Sequence, residues 1–181
     1  MGKAIGVIEF KSIGVGIESL DAMLKCADVS VLESRMICIG KYFVIITGEV
    51  AAVSDSISTG KEIGRDEVIG AMVVPSVADG VLEKVNAKIE KDNIQALGIL
   101  ETKTLAYGVY GANYIKKSSS VDLLSVSISL GLGGKCIVIF TGDVASVKNA
   151  LDVAKGKIGD PSKIVSAVAI PSPTKELIEA L

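Results

Sequence analysis

The chain is written twice, and this limits its possible folds more than any other feature. Laying "AIGVIEFKSIGVGIESLDAMLKCADVSVL", from Ala4, over "ALGILETKTLAYGVYGANYIKKSSSVDLL", from Ala96, pairs Gly6 with Gly98, Glu9 with Glu101, Lys11 with Lys103, Gly16 with Gly108 and Lys25 with Lys117. The offset is 92 residues at Ala4 and Ala96. It grows to 94 where "GKYFVIITGEVAAV" meets "GKCIVIFTGDVASV", so that Gly40 falls on Gly134, and to 96 where Pro75 meets Pro171. Matched glycines, charges and apolar positions in constant order identify two copies of one domain, and the period is too long for a solenoid unit. We place the copies at residues 1–91 and 92–181.

Each copy carries the same alternation of patterns. An apolar run, "AIGVIEF" or "ALGILET", ends in polar residues and predicts a strand. In the first copy "GIESLDAMLKCA" sets Ile17, Leu20, Met23, Leu24 and Ala27 at helical spacing, and "VSVLESRMI" and "KYFVIITG" predict two strands joined by a short turn. A second helix follows, with Val50, Val53 and Ile57 on one face and Gly60 as its stop. "VIGAMVVP" predicts a fourth strand and "SVADGVLEKV" a closing helix. The order βαββαβα implies an α+β domain, with helices packed on a mostly antiparallel sheet.

Composition removes several function classes. A net charge of −2 and 4% aromatic residues offer neither the basic footprint nor the stacking platforms of a nucleic-acid binder. The mean hydropathy of +0.52 is high, but runs such as "YFVIITG" between Lys41 and Glu49 are far below the roughly 18 residues of a spanning helix. With no export signal at "MGKAIGVIEF", we expect a soluble protein of the cytoplasm. The three cysteines, Cys26, Cys38 and Cys136, are an odd number and argue against a disulfide framework. The absence of histidine excludes Ser-His and Cys-His nucleophile pairs and imidazole metal ligands. No clustered acid-base constellation replaces them, so we expect no enzyme.

"AIGVIEFKSI", "DAMLKCADV", "GEVAAV" and "VVPS", with their partners in the second copy, resemble the bacterial microcompartment shell domain, present twice as in the tandem-domain shell proteins. Nearly the whole chain is covered. Within that class, "ICIGK" in the first copy and "GLGGKC" in the second most resemble the iron-sulfur shell proteins of propanediol-utilisation compartments. The resemblance implies a homotrimer whose six domains form a pseudohexagonal tile, set beside other shell proteins in a polyhedral shell within the bacterial cytoplasm. Cyclic symmetry would close three two-domain chains around one axis.

The family's turn between its second and third strands faces that axis. Here its tip is Cys38, Ile39 and Gly40 in the first copy and Gly131, Leu132, Gly133 and Gly134 in the second. The resemblance implies that three Cys38 thiolates, one per chain, hold a single [4Fe-4S] cluster whose fourth iron has a non-protein ligand. Electrons, or the cluster itself, would then pass across the shell to or from a redox enzyme in the lumen or cytosol. The alternative is a metal-free tile with a central pore for small molecules, selective through its width and lining donors.

Other residues carry less. Cys136 aligns with Tyr42, so we assign it to packing in a strand. Cys26 aligns with Ser118 late in a helix, and we expect packing there too. Lys25 and Lys117 are either solvated lysines favoured by the helix dipole or, as the resemblance implies, tile-edge residues. The family often shows arginine after the proline that ends its fourth strand, where this chain has Ser76 and Ser172. "GLGGKC" leads into a strand, unlike the helix that follows a phosphate loop, so no nucleotide site is expected. Glu49 and Asp143 open helices, and Glu9 and Glu101 end matching strands in structural or edge roles.

Overall fold

A computed structural model describes residues 4–37, 40–85, 87–118, 120–128 and 134–181. The first copy runs β1 (Ala4–Phe10), α1 (Ile13–Cys26), β2 (Val29–Ile37), β3 (Lys41–Gly48), α2 (Val50–Gly64) and β4 (Val68–Val74). The second runs β5 (Ala96–Thr102), α3 (Leu105–Ser118), β6 (Val121–Ile128), β7 (Cys136–Gly142), α4 (Val144–Ile158), β8 (Ile164–Pro171) and α5 (Lys175–Ala180). The sheets have the orders β2-β3-β1-β4 and β6-β7-β5-β8. Every ladder in both is antiparallel. The α+β fold expected from the duplication is therefore the observed one.

The copies repeat each other down to their irregularities. β2 bulges between Val31 and Glu33, and β6 does so at the equivalent Leu123 and Ser125. A second bulge lies between Glu9 and Phe10, matched between Glu101 and Thr102. Bulges bend a strand and re-aim its side chains, so their repetition keeps the two edges alike.

In the first copy the core is Ile8, Phe10, Met23, Val44, Ile46, Val53 and Ile57, drawn from the sheet and both helices. The strands have near-continuous apolar runs because β1 is buried along its whole length. Helix α1 begins at the Ser12 N-cap, whose side chain accepts from the Val15 N–H. Of its periodic apolar residues Met23 is fully buried, whereas Ile17 and Leu24 are exposed.

Three sequence expectations are corrected. Gly60 does not stop α2 but lies buried inside it, where a side chain would collide with Met23 Sδ. The helix ends at Gly64, and Arg65 takes a φ of 44°. "SVADGVLEKV" forms turns rather than a helix, and only its second-copy counterpart is helical, as α5. Cys26 is exposed instead of packed, with its thiol donating to the Met23 carbonyl at 3.2 Å.

By contact the residues group into two compact units. One comprises residues 1–77, 104–107 and 129–134, the other 78–103, 108–128 and 135–181. The first turn of α3 thus belongs with the first copy, and the linker after β4 belongs with the second. Among the described residues, no helix is long and apolar enough to cross a membrane.

Candidate functional site

The two hairpin turns are where the copies differ most. β2 and β3 end in the pair Ile37 and Lys41, which leaves three residues for the first turn. Cys38 and Ile39 lie outside the described residues. Gly40, which closes the turn, has φ 68°, a left-handed conformation in which other residues are strained. In the second copy Ile128 pairs with Cys136, so the loop is longer. Gly131, Leu132 and Gly133 lie outside the described residues, and Gly134 has φ 76°.

Gly134 stands in the first unit, against the other turn. A β-carbon there would lie 3.1 Å from Lys41 Nζ and 3.4 Å from Ile37 Cδ1. The sign of φ favours glycine, and a β-carbon would rest against the flexible ends of Ile37 and Lys41, which bracket the first turn. In this way the end of the second loop is seated beside the base of the first.

Each turn is followed by a lysine, and each central strand ends in a carboxylate. Lys135 Nζ lies 3.0 Å from Glu101 Oε1, and the Ser166 hydroxyl donates to Glu101 Oε2 at 3.1 Å. Glu9 is different. It is fully buried, and its Oε1 accepts from the Ala106 N–H in the first turn of α3 at 2.9 Å. Burial pushes its carboxyl up to about 7, against the opposing effects of that N–H and of the Lys41 charge. The sequence offered no sign of this, since Glu9 and Glu101 are the same residue at the same place in the repeat.

The remaining candidates are plainly located. Cys136 is buried with its sulfur packed on α3 at Gly108, just as Tyr42 packs on α1 at Gly16, so it has the packing role expected of it. Lys25 pairs with Asp21 one helical turn earlier and is exposed, as is Lys117. Asp143 caps α4 through the Ser146 N–H at 2.9 Å. Hydrogen bonds from Ser146 hold its carboxyl below the ordinary range. In the second unit an open cleft of about 600 Å³ is lined by Asp79, Lys84, Glu90, Lys116 and Asp122. There Lys84 pairs with Glu90 and Lys116 with Asp122, and Asp79 and Asp92 line the cleft as well.

Among the described residues, no group of three or more His, Cys, Asp or Glu side chains is placed to hold a metal ion.

The BMC domain model matches residues 4–77 and 96–173. The chain belongs to the BMC-domain family. It is 37% identical, over 98% of its length and 96% of the relative's, to the bacterial microcompartment shell protein PduT of Citrobacter freundii. It is 23% identical to the carboxysome assembly protein CcmO of Synechococcus elongatus, over 98% of this chain and 68% of that one. Among solved structures, a microcompartment protein of Desulfitobacterium hafniense superposes with a TM-score of 0.81 at 39% identity, over 99% of both chains. The BMC-domain copies defined by the family model are separated by the linker at 78–95, part of which lies along β6.

Proposed function

We propose that this BMC-domain chain is a wall tile of a bacterial microcompartment shell, in which three copies surround an axis and their Cys38 thiolates hold one [4Fe-4S] cluster. The observation that supports this reading is the seating of Gly134 against Ile37 and Lys41. It sets the end of the second loop beside the residues that bracket the first turn, so that rotation about an axis beside them would bring the same positions of three copies together. One sulfur per chain suffices, because symmetry supplies the multiplicity that other cluster proteins obtain from several cysteines in one chain. The backbone N–H groups near Gly40 and Gly134 would tune such a cluster through second-shell hydrogen bonds. When bound, the cluster would supply one-electron transfer between the two faces of the shell, to a redox enzyme on either side.

A second reading, a metal-free tile with a polar pore, draws on the Lys41 ammonium beside both turns. Anaerobic reconstitution with iron and sulfide separates the two. The cluster reading expects about four irons per three chains with broad visible absorption, lost in Cys38→Ser and kept in Cys136→Ser. Wild-type protein without bound iron would leave the pore reading, and colour that follows Cys136 would move the ligand.

A further inference from the structure

Glu9 and Glu101 stand at matching places in the repeat, and the chain holds them in two different ways. Across its sheet Glu101 pairs with Ser166 of β8, and Glu9 with Gly70 of β4. Glu101 is partly open to solvent, and both of its oxygens are served. Lys135 Nζ lies 3.0 Å from Oε1, and the Ser166 hydroxyl donates to Oε2 at 3.1 Å. That is the setting of an ionised carboxylate.

Glu9 lacks that setting. Gly70 has no hydroxyl to offer, and Thr104 occupies the space in front of it, so that a β-carbon at Gly70 would collide with the Thr104 side chain. The segment admitted in this way is buried at Thr104, Leu105 and Ala106. Glu9 Oε1 accepts from the Ala106 N–H at 2.9 Å, but among the described residues no hydrogen bond reaches Oε2. A buried carboxylate with one oxygen unserved is costly, and burial accordingly keeps the proton on Glu9 up to about 7.

Few charges bear on it. Lys41 of β3, the counterpart of Lys135, is the cation whose field acts on the carboxyl. Phe43, which pairs with Glu9 across the sheet, carries the Arg35 guanidinium of β2 over its ring, and Arg35 in turn pairs with Glu33 at 3.1 Å. Lys11 pairs with Glu67 at 3.9 Å, and Lys103, just ahead of the buried segment, is exposed. The start of α3 brings only Thr104 and backbone N–H groups, and β4 only Gly70 opposite.

We infer that Glu9 is a proton-operated latch on residues 104–107: protonated, it holds them through the Ala106 N–H, and ionised, it leaves that N–H and pairs with Lys41, as Glu101 pairs with Lys135. Its proton passes to solvent. The second position needs no new geometry, since the other copy of the domain shows the same side chain in it. The latch lies within one chain and is independent of how many copies assemble. A β-carbon at Gly134 would lie 3.1 Å from Lys41 Nζ, so a turn of Lys41 toward Glu9 also moves a charge at the residues that bracket the first hairpin turn.

Amide hydrogen exchange of residues 104–107 in the full chain tests it, read by mass spectrometry and corrected for the intrinsic rate with an unstructured peptide. A carboxyl that keeps its proton to about 7 when latched and to 4.5 when released opens more readily as pH rises between those values, and the effect levels off above 7. Corrected exchange in the wild type should therefore rise by more than about tenfold from pH 5 to 7.5. Glu9→Gln keeps an acceptor for the Ala106 N–H and cannot ionise, so its exchange should stay flat, while Glu101→Gln should behave as the wild type. In Lys41→Met the rise should shrink, because the released carboxylate loses its partner. Far-UV circular dichroism confirms that each variant is folded. Flat exchange in the wild type overturns the latch without recourse to any variant, and so does a rise that survives in folded Glu9→Gln. A rise in Lys41→Met equal to or larger than that of the wild type overturns the pairing with Lys41.

Discussion

Glu9 and Glu101 are one residue in two environments. In the folded chain Glu9 holds its proton up to about pH 7, while in the unfolded chain it releases it near 4.5. Between those values the native state binds more protons, so stability is full below pH 4.5 and falls as pH rises through 7. A shift of this size corresponds to about 3 kcal/mol. Glu9→Gln retains an acceptor for the Ala106 N–H and cannot ionise. Urea denaturation between pH 4.5 and 7.5 should show that slope in the wild type and its loss in the variant. The strand-ending carboxylate was legible in the repeat, but its burial was not. Burial depends on a helix start nearly a hundred residues away in sequence, and no local pattern encodes that neighbour.

At the level of elements the copies keep one plan with different fillings. Gly98 of β5 faces Phe140 across the strand pair, and a β-carbon there would collide with the ring. Gly98→Ala must therefore displace a rigid, fully buried aromatic, and overpacking of this kind costs roughly 1–3 kcal/mol. A lowered midpoint in urea with unchanged m-value is the expected reading. At the equivalent Gly6 the obstruction is the Ile57 side chain of α2. The strands and first helices were legible because period and turn residues mark them locally. The end of α2 was not, since Gly60 serves close packing against Met23 rather than termination. Nor was the linker. "SVADGVLEKV" has helical spacing, yet its backbone is taken up by turns and by the bond from Val126 to the Lys84 carbonyl.

At the scale of the whole molecule, the proposed assembly and the proposed cluster are linked. One thiolate per chain does not hold an iron-sulfur cube, so after reconstitution only particles of three chain masses should retain iron. Iron analysis of the wild type and Cys38→Ser after separation by native mass is the measurement, and stoichiometric iron on single chains would separate the cluster from the axis. Duplication, fold class and family were readable from residue order alone, because matched apolar and glycine positions recur whenever one fold is encoded twice. Tertiary structure decided which copy of each repeated surface is covered. Identical local sequence cannot distinguish an edge that meets the chain's own linker from one left open, because that difference lies in contacts between residues distant along the chain.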